Sequence, residues 1–481
     1  MKKTSKLLAI LCALMLMAAS LTACSGEGKT KDTGSTPEKK TEETNTDKKK
    51  EDTSDSASED VDEVDEIYFL NFKPEIAEVY NQISADYEAE TGIKVKVVTA
   101  ASGTYEQTLK SEVAKSDPPT IFQINGPVGY EAWKDYCLDL KDTDFYSYLS
   151  DKSLAVTSGD GVYGIPYVVE GYGIIYNNAI MEKYFALEDK ATDVTSMDQV
   201  NNFATLKSVV EDMTAHADDL GIKGVFASTS LGAGEQWRWQ THLANMPLFY
   251  EFKDNTAYDN SVLAGLAADE IQFTYADNFR NIFDLYTNNS STQKGLLGSK
   301  SVNDSMAEFA LGQAAMVQNG NWAWSQINDV AGNVVAAEDI KFLPIYTGVS
   351  GEEKQGLCVG TENYFAINSK VSPAKQQASI EFLEWLFSSE KGKDYVTNQL
   401  GFIAPFTTFN DDEKPTDPLA REVLTWMEKD VESVAWTIAA FPSEEFKNYF
   451  GDALLEYVQD SKTWDDVVTI VKDSWKSERA K

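Results

Sequence analysis

The stretch FALGQAAMVQNGNWAWS (Phe309–Ser325) sets Trp322 and Trp324 directly after a polar Asn-Gly-Asn turn. A second stretch, EQWRWQ (Glu235–Gln240), places Trp237 and Trp239 among a carboxylate, a guanidinium and two amides. Aromatic rings interleaved with such polar groups suit recognition. An indole ring is a rigid apolar platform, and Glu, Asn, Gln and Arg supply matched donors and acceptors. The complement is a molecule with an apolar C–H face and an equator of hydroxyls. Trp322, straight after a turn, reads as the platform. Trp324 lies two residues on and reads as its anchor in the core. Asn125, at the end of TIFQIN, and Glu362-Asn363-Tyr364, before a strand, have the same texture.

Bond-making chemistry has little to work with. The chain has two histidines, His216 and His242, and no HExxH, CxxC or GxSxG motif and no glycine-rich phosphate loop. No metal or cofactor is expected, and the chain reads as a non-enzyme. His242 reads as a packed or solvated histidine. A glycoside hydrolase would need two carboxylates at a fixed separation, one held protonated. With 77 Asp and Glu residues, a chance pair is easy and would prove nothing. Against 42 Lys and Arg, those acids give a net charge of −35, which repels nucleic acid and disfavours a body lying on an anionic membrane.

The elements that must position these residues follow from periodicity. IYFLNF (Ile67–Phe72) reads as a strand. A helix follows from about Pro74, with Ile76, Val79, Tyr80, Ile83 and Tyr87 on one face and Thr91-Gly92 at its end. IKVKVVTA alternates as a strand, Tyr105–Ala114 reads as a helix, and TIFQIN (Thr120–Asn125) as a buried strand. This β-α-β-α-β opening predicts an α/β lobe with a mostly parallel sheet, whose ligands sit beyond the strands' carboxyl ends. Asn71, Phe72, Lys73 and Asn125 fall there. YGIPYVVEGYGIIYN carries two strands flanking Glu170-Gly171, where the chain should leave for a second lobe. Helices are predicted over Met197–Leu220, Gln236–Asn245, Asp277–Asn288 and Asn303–Leu311. AAMVQNG should be a strand, Thr361–Asn368 a strand returning to the first lobe, and Ser379–Ser388 a helix. Repeated crossing makes a hinge and a cleft. Trp385 and Trp436 read as helix-face packing.

The N-terminus sets the expected compartment. MKKTSK precedes the apolar run LLAILCALMLMAASL, which is of signal-peptide type and short for a membrane span. Leu21-Thr22-Ala23-Cys24 resembles a bacterial lipobox. That resemblance implies cleavage after residue 23 and a diacylglyceryl anchor on Cys24, whose acyl chains hold stably to a membrane. Residues 24–65 are charged and poor in apolar side chains, and read as a disordered tether. Residues 66–481 exceed one ordinary core and read as two lobes. Cys12 leaves with the leader. Cys137 and Cys358 read as buried free thiols in preference to a disulfide.

Several motifs in order resemble one family: YEAETGIKVKV, DPPTIFQINGP, YGIPYVVEGYGIIYNN, FALGQAAMVQNGNWAWS, FAINSKVSPAKQQASIEFLEWLFSSEKG and GFIAP. Together they resemble the family 1 extracellular solute-binding proteins, the group of the maltose-binding protein. The resemblance implies a two-lobed periplasmic-binding-protein-like fold, each lobe a mostly parallel sheet flanked by helices. It implies capture of a carbohydrate, an oligosaccharide by preference, and delivery to the permease subunits of an ABC importer. The expected state is a monomer, lipid-anchored on the extracytoplasmic face at the surface of a Gram-positive cell. The family positions carried over are Glu170, Trp322, Trp239 or its neighbour Trp237, and the Asn71–Lys73 loop. Asn125 and Glu235 join them on texture, and the alignment favours Trp239 over Trp237 for the cleft. Phe72 and Gln123 depart from the maltose-binding pattern. Import of a polyamine or other solute, and a glycan sensor or adhesion lipoprotein, are the alternatives.

Overall fold

The computed structural model describes residues 64–481, apart from 102, 259, 362 and 411. The expected leader, Cys24 and nearly all of the tether lie outside the described residues.

Twelve strands form two six-stranded sheets among the described residues. In chain order they are β1 (Glu66–Asn71), β2 (Lys94–Thr99), β3 (Ile121–Ile124), β4 (Val156–Ser158), β5 (Gly161–Pro166) and β6 (Glu170–Asn177). They continue as β7 (Gly224–Phe226), β8 (Ala314–Gly320), β9 (Ile340–Leu343), β10 (Gln355–Gly360), β11 (Tyr364–Ile367) and β12 (Glu432–Ala435). The first lobe orders its strands β2-β1-β3-β11-β5-β4. The second orders them β12-β10-β6-β8-β7, with β9 also pairing β6.

The opening β1, β2 and β3 are parallel, as the β-α-β-α-β reading predicts. The mostly parallel pairing expected throughout is corrected. β11 lies antiparallel between β3 and β5, and β6 lies antiparallel to β8, β9 and β10. The reason is the hinge. β6 enters the second lobe directly from β5, and β11 enters the first directly from β10. A strand arriving through the hinge begins at the cleft and runs away from it. Its neighbours in the sheet end at the cleft.

Each lobe buries both faces of its sheet, as sheets flanked by helices must. On β1, Ile67 and Phe69 pack with Ile76, Tyr80 and Ile83, while Tyr68 and Leu70 pack with Leu109, Phe122 and Ile124. The first long helix, Ala77–Thr91, buries Tyr80, Ile83 and Tyr87 and stops at Gly92, whose φ of +80° suits glycine. In the second lobe Tyr172, Ile174 and Tyr176 of β6 face one core, and Ile175 faces the other. The strands β7, β9 and β12 had no sequence signal, because three or four residues carry too little periodicity, and β10 (QGLCVG) does not alternate clearly. The region 197–220 is a turn and two helices, Phe203–Ala215 and Ala217–Leu220, in place of one helix.

Trp385 does pack on a helix face, against Tyr87 and Phe382. Cys137 and Cys358 are both free and buried.

Candidate functional site

The site begins where β1 ends. The Asn71 side chain donates to the carbonyl of Lys73 (2.7 Å) and to Thr99 Oγ1 (3.1 Å), and accepts from the Lys73 N–H (3.1 Å). The Phe72 N–H donates to Gln123 Oε1 at 2.6 Å. So pinned, the turn sends the Lys73 side chain to the first residue of β6. There its ammonium donates to Glu170 Oε1 at 2.7 Å. Lys73 and Glu170 are 6% and 2% exposed, so this is a buried ion pair. Asn71 itself is a correction: it is 1% exposed, spends its side chain on the loop and does not line the cavity beside that pair.

Lys73 and Glu170 open onto a cavity of about 130 Å³. Its wall combines Glu75 and Ile76 from the first lobe, Asn321, Trp322, Trp324 and Ser325 after β8, residues 398–402, and Thr416 and Asp417. Burial raises the Glu75 carboxyl above the usual range, against the pull of Lys73 at 3.8 Å. Burial also pushes the Asp417 carboxyl up to about 7, opposed by its bonds to the N–H groups of Leu419 and Ala420, which it caps.

Trp322 is half-buried and faces this cavity. Two features aim it. Asn321 is locked to the start of β6, its N–H donating to the Gly171 carbonyl (3.0 Å) and its Oδ1 accepting from the Gly171 N–H (2.9 Å). The ring then folds back over Gly320, where a Cβ would lie 2.1 Å from it. Behind it stand Tyr172, Trp237, His242 and Trp436, with centroids 5.4–6.5 Å from the Trp322 ring. Lys73 Nζ lies 5.6 Å from the Trp322 ring. Trp324, expected inside the lobe, is half-buried and shares the cavity wall, which corrects its assignment as anchor alone.

Trp436 is another correction. It is not on a helix; it follows β12 and folds over Gly360, where a Cβ would meet it at 2.5 Å. Its signal was the same as that of Trp322, a tryptophan just past a strand, but the strand was too short to read. His242 touches four rings of this wall and is buried. Burial, helped by the nearby Lys73, Lys447 and Arg238, pushes its pKa down to about 3, against a bond to the Trp237 carbonyl. It is a neutral ring at ordinary pH.

The two tryptophans of EQWRWQ part company. Rings two residues apart on a helix diverge, and the segment Arg238–Leu243 is a π-helix, closed by the Ala244 N–H on the Trp239 carbonyl. Trp237 is partly exposed and joins the Trp322 wall. Trp239 is 2% exposed, donates its indole N–H to the Ser230 carbonyl (2.9 Å) and packs on Phe283 and Tyr286. The preference for Trp239 at the cleft is therefore corrected: it is core. Glu235 is corrected as well, since its Oε2 accepts from Val302 N (2.8 Å) and caps the helix Val302–Ala310. Arg238 is buried, donating to Gln318 O, Ser230 Oγ and Ser305 Oγ.

Asn125 follows β3, and its Oδ1 is buried without a hydrogen-bond partner. It is in company. Gln123 Nε2, Thr361 Oγ1, Asn363 Nδ2, Trp436 Nε1 and His242 Nε2 are buried and unpartnered too. The Ile124–Tyr364 pairing places Asn125 and Asn363 side by side, one residue beyond the two strands. Buried polar atoms are normally bonded. Asn125, Thr361 and Asn363 stand at the hinge ends of β3, β10 and β11. Among the described residues no three His, Cys, Asp or Glu side chains converge to hold a metal. None of the described helices is long and apolar enough to cross a membrane.

Two sheet-and-helix lobes joined by crossing strands, with a polar and aromatic cavity between them, define a two-lobed solute-binding architecture. The sequence matches the family model described as "Bacterial extracellular solute-binding protein" over residues 82–423, and the chain belongs to that family. Solved structures share the fold. A chitin oligosaccharide binding protein aligns with TM-score 0.68 and 16% identity over 87% of this chain and 100% of its own. The solute-binding protein RafE in complex with raffinose aligns with TM-score 0.63 and 18% identity, over 86% and 99%. A sugar transporter protein of Bacillus licheniformis in complex with stachyose aligns with TM-score 0.63 and 15% identity, over 86% and 100%. No curated protein matches the sequence. Members of this family are extracytoplasmic binding proteins.

Proposed function

We propose that this protein captures a carbohydrate, an oligosaccharide by preference, between its lobes and delivers it to the permease of an ABC importer without transforming it. The observation that carries the reading is the half-buried Trp322 ring on a cavity whose other wall is the Lys73–Glu170 pair. An apolar ring face and an equator of hydroxyls need such a platform beside charged hydrogen-bonding groups. Trp237 adds a second ring, and Asn125, Asn363 and Gln123 add unpartnered polar atoms. The solved relatives in complex with raffinose and stachyose support the ligand class. Family membership supports the import partner and the extracytoplasmic site. Lipid anchoring through Cys24 rests on the lipobox alone. Capture works by closure: a solute that contacts both lobes shifts the hinge toward the closed state.

Calorimetric titration of the body against a panel of oligosaccharides tests this, with Trp322→Ala alongside. The expected result is tight binding of one glycan class, no hydrolysis product, and a loss of about 2 kcal/mol or more in the variant. No binding to any glycan, with binding of an amine, peptide or other solute, would reject the carbohydrate reading.

A further inference from the structure

The charges on the cavity do not balance. Among the described residues of its wall, Lys73 is the one cation, and Glu75, Glu170 and Asp417 are the three carboxyls. Lys73 spends its short contact on Glu170 and stands 3.8 Å from Glu75. Asp417 lies on the wall contributed by residues 416–417, where its carboxyl accepts from the Ala420 N–H. Beneath them lie the hydroxyls of Tyr80 and Tyr167, both buried and both without a hydrogen-bond partner. Each senses the charge of Glu75, and Tyr167 that of Glu170 as well.

A metal is a poor answer to that imbalance, since no three acids among the described residues converge on a point. The carboxyls are spread round a space with indole rings on one side. An alkylammonium fits such a space. Its N–H groups donate to carboxylates, its charge offsets theirs, and the adjoining rings of Trp322 and Trp324 attract a cation over their faces. Burial raises both Glu75 and Asp417, and an ammonium placed between them would draw them back to the carboxylate form.

We infer that the solute carries a protonated amine, and that the cavity bounded by Glu75, Glu170, Asp417 and Trp322 selects an amino-sugar unit over its neutral and N-acetylated counterparts. This rests on the carbohydrate reading above and narrows it. The neutral sugar face lies on Trp322, and the ammonium points to Glu75 and Asp417.

The experiment compares three tetramers by calorimetry: β-linked glucosamine, its fully N-acetylated form, and a neutral glucose tetramer, with spermidine as a sugar-free amine. The expected result is at least about tenfold tighter binding of the glucosamine form than of the N-acetylated one. That preference should shrink toward unity in Asp417→Asn and in Glu75→Gln. Asn keeps the acceptor that caps the Pro418–Met427 helix, so the fold is retained. Equal or tighter binding of the N-acetylated or glucose tetramer overturns the charge inference and leaves the carbohydrate reading standing. A preference for the amine that both variants leave intact also overturns it. Spermidine bound tightly and no tetramer bound rejects the carbohydrate reading, and the amino-sugar inference with it.

Discussion

The ammonium of Lys73, two residues past the end of β1, lies 2.7 Å from the carboxylate of Glu170, the first residue of β6. The two are 97 positions apart and come from opposite sides of a hinge crossing. Removing one partner strands the other charge in a buried site. Lys73→Met should lower unfolding free energy by about 3–5 kcal/mol. Adding Glu170→Gln should recover part of that loss, because the Glu170 carboxylate is then no longer buried without its closest cation. Urea unfolding of both singles and the double measures the coupling. Strictly additive effects would mean that the pair is not coupled.

Trp237 and Trp239 should separate stability from affinity. Trp239 is core, so Trp239→Ala should cost about 3–5 kcal/mol of stability. Trp237→Ala should cost much less stability and weaken solute binding, since its ring stands 6.2 Å from that of Trp322. Denaturant midpoints and titrations on the same two variants decide it. Equal stability losses would contradict the placement.

Gly320 is needed for space. A Cβ there would lie 2.1 Å from the Trp322 ring, so Gly320→Ala should swing that ring off the cavity. Solute affinity should fall about tenfold or more. The variant should still fold, and its tryptophan emission should move. Unchanged affinity and emission would show that the ring has another seat.

Acidification should reveal His242. Its folded pKa of about 3 lies below the ordinary 6.5, so the unfolded chain binds the proton first. The stability it contributes is complete above about pH 6.5 and is lost as pH falls toward 3. The slope is at most about 1.4 kcal/mol per pH unit. Asp417 runs the other way. Its folded pKa of about 7 exceeds the ordinary 3.8, so stability is gained as pH falls from 7 toward 3.8. His242→Asn, which keeps an N–H donor for the Trp237 carbonyl, should therefore lose less stability between pH 6.5 and 4 than the parent. Parallel midpoint curves for the two proteins would rule this out.

Cys24 lies outside the described residues, and the expectation there is purely chemical. Cys24→Ala should leave the mature chain unlipidated and released from membranes. Fractionation with mass measurement of the N-terminal peptide reports it, and a parent peptide without added acyl mass would end the lipobox reading.

Much of the fold was legible because its long elements repeat. The Ala77–Thr91 helix shows its buried face in Tyr80, Ile83 and Tyr87, and β1 alternates cleanly between two cores. The strands β7, β9 and β12 span three or four residues each, too few for a period to show. The antiparallel insertion of β6 and β11 was hidden for another reason. It depends on where the chain crosses the hinge, and no local pattern records that.

The sequence by itself determined the family, the two lobes and the Trp322 turn, because those rest on composition, order of motifs and neighbouring residues. Only the tertiary structure decided which rings share the cleft. Trp322, Trp436 and the pair Trp237 and His242 meet from three separate segments, and Glu75 and Asp417 line one cavity from positions in different parts of the chain. Such meetings depend on strand register and on a close backbone approach at Gly320 and Gly360. A one-residue slip of β8 or β12 would move the tryptophan that follows it out of this cluster.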